Sequence, residues 1–384
     1  MKKVLLGTSA IALAGAFAAP ASAAEWDVRV GGYMEQFVVY GDSDIDGAAA
    51  GTDVDGVDVK SDTEIFFLPS ITLDNGLKIG ANVQLEGNTS GDQIDESFLF
   101  ITGSFGRVQL GSENSAGYTM TYSAPDVTFY GVNSGSITNA VPFSGAVGGV
   151  AVGGDVFRGT LGSTFIENER NNDAQRITYF TPRFAGFQLG LSYARDGNQD
   201  SNGQVDTNAA PNNIVSDIID IGANYVNSFG GFDVAVSGRW GIASDDRAPV
   251  AGTDIGDNPQ IWGAGINLGF AGVTIGGSFA EQNNADNEDG RSFDAGISYE
   301  TGPWGFSFTY FNGENVDEEN AAIGGDESMQ AFLLGMNYKL AKGVSLGAFG
   351  AYVDFEEDFG DGGAGTAGND VDGFIIGTGI KVSF

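Results

Sequence analysis

The chain of 384 residues contains neither cysteine nor histidine, which excludes disulfide frameworks, Cys/His zinc sites, haem and iron–sulfur ligation, cysteine nucleophiles and Ser-His-Asp catalysis. Its 51 acidic against 17 basic residues leave a net charge of −34, which repels polyanions and argues against any nucleic-acid partner. Glycine, at 61 residues, exceeds twice its usual share of roughly 7%, yet the chain is 42% hydrophobic and 11% aromatic with nine prolines, unlike a disordered or collagen-like chain.

Residues 1–23 read as an export signal: Lys2 and Lys3 form a basic start, Val4 to Ala19 an apolar stretch, and Ala21-Ser22-Ala23 an A-x-A cleavage site. Cleavage there would leave 24–384, beginning Ala24-Glu25-Trp26, as the mature protein. Beyond it, no apolar run is long enough for a spanning helix.

The mature chain alternates with period two. From Leu77 to Glu86 every odd residue is apolar and every even one polar or glycine, the pattern of a strand with two unlike faces. Phe187 to Tyr193, Ile219 to Tyr225, Phe232 to Val236, Phe293 to Tyr299, Phe332 to Leu340 and Phe374 to Phe384 repeat it. Seven short glycine-bearing links predict tight hairpin turns, at 74–76, 103–106, 184–186, 228–231, 271–272, 301–303 and 341–343. Longer, acidic, Gly/Asn-rich connections fall at about 41–60, 87–94, 112–173, 195–216, 241–258, 281–291, 312–327 and 355–370. Together they give about 16 strands with short turns on one side and long loops on the other, as in a transmembrane barrel.

The chemistry of the two faces favours that barrel over packed soluble sheets. One face carries aliphatic residues with aromatics near strand ends; the other carries Gly, Ser, Asn and isolated charges of both signs. Lipid outside and water inside suit this division, and only closure pairs every backbone group within hydrocarbon. The inward glycines are expected to leave bore. The fold expected is all-β, an antiparallel transmembrane β-barrel.

Specific strings carry a resemblance. Asp74-Asn75-Gly76-Leu77, Asp95-Glu96-Ser97-Phe98, Gly103-Ser104-Phe105-Gly106-Arg107-Val108-Gln109-Leu110-Gly111, Gln175 to Phe187 with its Tyr-x-Thr-Pro-x-Phe-x-Gly-Phe element, and the terminal Phe384 resemble the general porins of Gram-negative outer membranes, in particular the alphaproteobacterial type. The resemblance covers the whole mature chain. It implies a homotrimeric barrel of 16 strands in outer-membrane lipid and lipopolysaccharide, passing small hydrophilic solutes and ions, with the third outer loop folded inward. Residues 112–173 occupy that loop's place. The family sets acids on this loop against basic groups of the facing wall. Here the loop acids are Glu113, Asp126, Asp155, Glu167 and Glu169; by alternation Arg29, Lys78, Arg107, Arg176, Arg239, Lys339 and Lys381 face the lumen, with Glu35, Glu64, Glu86, Asp220, Asp233 and Asp294. Arg176 is the foremost candidate for the constriction.

The acidic surplus predicts cation preference. The competing function is a substrate-specific channel for a sugar or an organic acid; an enzyme is not expected, since a lipase-type barrel needs a histidine. No cofactor is required. Asp42-Ser43-Asp44-Ile45-Asp46-Gly47 reproduces the start of a calcium loop, with Asp53 where the closing Glu would stand. Asp42, Asp44, Asp46 and Asp53 are therefore candidate Ca2+ ligands, and Asp354 to Asp361 form a second acidic group.

Overall fold

The structure is a computed structural model that describes residues 25–45, 54–88, 93–133, 141, 145–147, 150–152, 159–167, 173–197, 215–245, 258–283, 288–317, 326–357 and 370–384. Its strands are β1 (Asp27–Ile45), β2 (Asp55–Thr72), β3 (Lys78–Glu86), β4 (Ile94–Gly103), β5 (Gly106–Ser112), β6 (Gly145–Val147), β7 (Val150–Val152), β8 (Gln175–Phe180), β9 (Phe187–Asp196), β10 (Val215–Phe229), β11 (Phe232–Asp245), β12 (Gln260–Phe270), β13 (Val273–Asn283), β14 (Glu288–Thr301), β15 (Trp304–Asp317), β16 (Glu327–Ala341), β17 (Val344–Glu357) and β18 (Val371–Ser383). Among the described residues one short helix, α1, spans Ala116–Met120.

Sixteen strands, all except β6 and β7, form one closed antiparallel barrel. Each pairs with its neighbours in sequence, apart from β5 with β8, which bracket residues 113–174, and β1 with β18, which close the wall. Closure extends to the last residue: Phe384 N–H donates to the Gly32 carbonyl at 3.0 Å and Gly32 N–H donates to the Phe384 carbonyl at 3.2 Å. No sheet edge is left in the hydrocarbon, the condition a spanning sheet must meet. β6 and β7 form a separate two-stranded ladder.

All seven tight links join adjacent strands. At two of them the turn demands glycine: Gly272 (φ 83°) and Gly343 (φ 74°) occupy the left-handed region, and a Cβ there would stand 2.5 Å from the Glu300 carbonyl and 2.3 Å from the Ser383 carbonyl. The long connections are shorter than expected from composition. β1 runs to Ile45 and β2 starts at Asp55, β11 reaches Asp245, and only 284–287 separate β13 from β14. Beyond the apolar band strands continue into water, where charged side chains cost nothing and the ladder still satisfies the backbone.

The outward face is aliphatic at mid-height, with Leu189, Leu191, Ile221, Val236, Ile266, Ile275 and Ile297 exposed. Aromatic pairs flank it. Phe232 stacks on Phe270 at 4.3 Å, and Trp304 meets Tyr338 at 4.5 Å, near the tight turns. Toward the other end Trp240 opposes Trp262 across β11 and β12, and Phe293 lies 5.7 Å from Tyr310. Phe232 and Trp240 are eight residues apart on β11, about 26 Å along a strand, which after tilt matches two girdles about an apolar band.

Part of the inner wall departs from the expected polarity. Phe37 and Val39 of β1, Phe311 of β15, Met329, Ala331 and Leu333 of β16, Phe349, Ala351, Val353 and Phe355 of β17, and Val371 and Ile375 of β18 all face inward and are buried. The segment after β5 supplies their partners, Tyr130, Val132, Val141 and Leu161. These contacts bury apolar groups that water would otherwise meet in the lumen.

Candidate functional site

The described part of residues 113–173 lies along the inside of the barrel as a strap that runs out and returns. Its start is fixed by α1, whose Ser115 hydroxyl caps Tyr118 N–H at 3.1 Å. Going outward, Ala116 N–H donates to Ser192 Oγ of β9 (3.1 Å), Tyr122 N–H to Ser237 Oγ of β11 (2.9 Å), Ala124 N–H to Asp294 Oδ2 of β14 (3.0 Å) and Val127 N–H to Ser307 Oγ of β15 (3.2 Å). The aromatic end comes next: Tyr130 stacks on Phe349 at 4.3 Å and meets Phe37 edge-on at 5.4 Å. On the return, Ser292 of β14 donates to the Ser163 carbonyl at 2.6 Å, Thr164 and Ser278 of β13 share a 2.7 Å hydroxyl contact, and Arg239 of β11 donates to the Ile166 carbonyl at 3.1 Å. An irregular segment inside a barrel must satisfy its own N–H and C=O groups, and inward Ser and Asp side chains of successive strands do so.

Glycine makes the close approach possible. A Cβ at Gly265 would lie 1.8 Å from the Tyr122 carbonyl oxygen, at Gly335 2.1 Å from Thr128 Cγ2, and at Gly313 2.3 Å from the Thr160 and Leu161 carbonyls. The inward glycines expected to leave bore therefore seat the strap here, and the inward side chains that stay partly exposed lie on the opposite side, along β2 and β3, among them Asp62, Glu64, Gln84 and Glu86.

The candidate residues divide accordingly. Arg239 lies under the strap, its Nη2 3.0 Å from Glu167 Oε1 and 3.9 Å from Asp220 Oδ1, with both Arg239 and Glu167 buried; it anchors the loop instead of lining open bore. Asp126 also anchors, accepting from Ser307 Oγ (2.8 Å) and Thr128 N–H (2.8 Å). Glu35 pairs with Lys381, whose ammonium sits 4.3 Å over the Tyr33 ring, while the Tyr33 hydroxyl donates to Glu64 at 2.8 Å. Arg29 lies at the start of β1, exposed and 3.2 Å from Asp27, and Lys78 is the first residue of β3, so both occupy the turn-side rim, away from the loop. Lys339, also near the turns, pairs with exposed Glu300 at 2.6 Å.

Arg107 of β5 stacks over Phe100 at 4.4 Å, and Arg176 of β8, opposite Gly111 and buried, donates from Nε to the Ala174 carbonyl at 3.3 Å. Glu113, the first residue after β5, accepts from Asn114 N–H at 2.9 Å. Burial raises its pKa above the ordinary carboxylate value, while the Asn114 hydrogen bonds and the charges of Arg176 and Arg107 draw it partly back. The charges of Arg176 and Arg107 are thus both felt at Glu113, but Arg176 is buried and does not line open bore, and Arg107 stands on the rung of Lys78 toward the turns. Asp155 and Glu169 lie outside the described residues.

The calcium-loop reading meets a different local structure. Asp42 and Asp44 belong to β1, paired with Phe374 and Asp372. Asp42 and Asp44 thus stand on one face of an extended strand, about 6.6 Å apart along it, and not on a turn; Asp46 and Asp53 lie outside the described residues. Asp354 and Glu356 likewise sit in β17, with Asp358 and Asp361 outside the described residues. Sequence reasoning also missed the anchoring roles of Ser192, Ser237, Ser278 and Ser307: an inward serine in an alternating strand gives no sign of the loop backbone it meets.

A closed antiparallel barrel of 16 strands with an apolar outer band and a loop strapped across its interior defines an outer-membrane channel. The chain belongs to the Gram-negative porin family, which matches residues 8–358. An outer membrane porin protein of Bordetella pertussis is 27% identical over 392 aligned residues, covering 92% of this chain and 94% of the relative. Among solved structures, a loop L8 deletion mutant of OmpT, an outer membrane protein of Vibrio cholerae, aligns with a TM-score of 0.61 at 14% identity, covering 94% of this chain and 99% of that one. The anion-selective porin from Comamonas acidovorans aligns with a TM-score of 0.58 at 19% identity, covering 94% and 100%.

Proposed function

We propose that the chain, exported by residues 1–23, forms a homotrimeric outer-membrane pore through which small hydrophilic solutes and ions diffuse passively, with cations preferred. One observation carries the preference: several described basic groups are neutralised by acids, Arg239 by Glu167, Lys381 by Glu35 and Lys60 by Asp58 at 2.6 Å, while the inward Asp62, Glu64 and Glu86 add negative charge on the open side. Their potential reaches about a Debye length, roughly 8 Å at physiological salt. The trimer has its own support. The outward face of β2 to β5 carries Ile65, Leu85, Leu99 and Leu110, with Phe67 its one exposed strand aromatic among the described residues, so the aromatic girdle is interrupted where a neighbouring chain would replace lipid. A Vibrio cholerae OmpT structure of the same fold is described in trimer form. Lipopolysaccharide and lipid would cover the rest of the outer face, and no cofactor is needed.

The reversal potential across a planar bilayer under a KCl gradient tests the preference: the sign for cations is expected, and the sign for anions overturns it. Acidification should weaken the preference, because protonation removes negative charge, and the decline should begin above the ordinary carboxylate range, because burial raises Glu113. Glu113→Gln should lose that upper part of the titration. Liposome swelling over a size series separates this reading from a substrate-specific channel: a smooth size cutoff supports diffusion, and saturation by one sugar or organic acid contradicts it.

A further inference from the structure

Behind the neck of the strap lies a cluster of three acids. In the β3–β4 ladder Val83 opposes Ser97 and Leu85 opposes Ile94, so Gln84 faces two residues, Asp95 and Glu96. Such a bulge re-aims side chains that strict alternation would send to opposite faces. Here Asp95 and Glu96 converge with Asp173, the residue at the far end of the strap, and the carboxylate oxygens of the three lie within 4.8 Å of one another. Asp173 is fully buried and Glu96 is 7% exposed.

Convergence alone could reflect an acidic chain, but Glu96 adds a second observation. Its Oε1 accepts from Asn114 Nδ2 at 3.3 Å, while its buried Oε2 meets no hydrogen-bond donor among the described residues. A buried carboxylate oxygen without a donor, among other carboxylates, is costly unless a cation completes it or a proton neutralises it. We propose that Asp95, Glu96 and Asp173 bind one Ca2+, which fastens both ends of the constriction loop to the wall of β4. The donor set suits the ion: one carboxylate oxygen from each residue lies within 4.8 Å of the others, within reach of a centre at about 2.4 Å, and a buried all-protein set favours calcium over magnesium, which dehydrates reluctantly and keeps several waters. The position suits the consequence. The Ser112 hydroxyl donates to the Asp173 carbonyl, and Glu96 reaches Asn114, so the ion sits where the loop leaves β5 and returns to β8. Glu64 and Glu86 make a second, more open group with Asp95, and because Asp95 is shared it competes for the same ion.

Calorimetric titration of the EDTA-treated, detergent-solubilised full-length protein with CaCl2 tests the assignment without requiring conduction. One Ca2+ per chain is expected, poorly displaced by MgCl2, with affinity reduced at least tenfold in Glu96→Gln and in Asp173→Asn and unchanged in Glu64→Gln/Glu86→Gln. Absence of saturable binding up to about 5 mM, above the roughly millimolar range of weak extracellular sites, would overturn it. So would binding that survives intact in both site variants, or that is lost only in the Glu64/Glu86 control. Should either site variant fail to assemble, the wild-type stoichiometry and magnesium competition decide alone.

Discussion

Replacing Gly265 by valine should raise single-channel conductance several-fold while leaving the barrel assembled. An inward Cβ at this position would stand 1.8 Å from the Tyr122 carbonyl oxygen and 3.0 Å from Ser237 Oγ, the hydroxyl that accepts the Tyr122 N–H at 2.9 Å. The wall cannot yield, because β12 is held by ladders to β11 and β13 along its length. The strap must yield instead, at a cost on the order of 1–3 kcal/mol for overpacking plus the displaced hydrogen bond. A strap moved off the wall is no longer fixed beside the open side, and fluctuating, larger current steps are expected in bilayer recordings. Gly350→Ala provides the control, since a Cβ there meets its nearest atom at 3.8 Å. Equal conductance in wild type and the Gly265 variant would show that the loop does not rest against β12.

The second large effect concerns the apolar end of the strap. Tyr130 is 1% exposed, packed on Phe37 and Phe349, and Tyr130→Ala should lower stability by about 3–5 kcal/mol through lost burial and the cavity left behind. Its hydroxyl is buried and has no hydrogen-bond partner among the described residues, so Tyr130→Phe should be neutral or stabilising, by up to about 1–3 kcal/mol. Denaturant unfolding followed by tryptophan fluorescence measures both. The opposite order, with the phenylalanine variant weaker than the alanine one, would mean that the hydroxyl, and not the ring, holds the loop.

These two sites mark where sequence reading ends. The barrel wall was legible because Leu77 to Glu86 and its counterparts alternate against two unlike solvents, and because glycine-bearing links such as Ala271-Gly272 announce reversals. Phe384 ends a strand of the same rhythm, though its pairing with Gly32 is a matter of closure that alternation does not specify. The strap was not legible in its path. Phe37, Val39, Leu333 and Phe355 point inward, where alternation assigns polar residues, and only the loop that covers them explains the exception. Gly265 and Gly335 looked like open bore because a sequence does not show which backbone fills the space a missing side chain leaves. Arg239 was assigned to the lumen by parity correctly, yet parity carries no height and no partner, so its burial beneath Glu167 was beyond reach. The motif at Asp42 shows the same limit, since spacing alone does not reveal whether the chain curls or, as at Asp42 and Asp44, runs on as a strand. Conversely, Asp95 and Glu96 are adjacent in sequence and would be assigned to opposite faces; the bulge opposite Gln84 unites them.

Water and ions are expected to pass along β2 and β3 while the strap seals the wall from β11 to β18. Because the chain has no cysteine, single substitutions can report this directly. Charged, water-soluble thiol reagents added during bilayer recording should rapidly reduce current through Gln84→Cys, on the open side, and leave current through Ala331→Cys, beneath the loop, unchanged. Rapid block at position 331 with no response at position 84 would contradict the account.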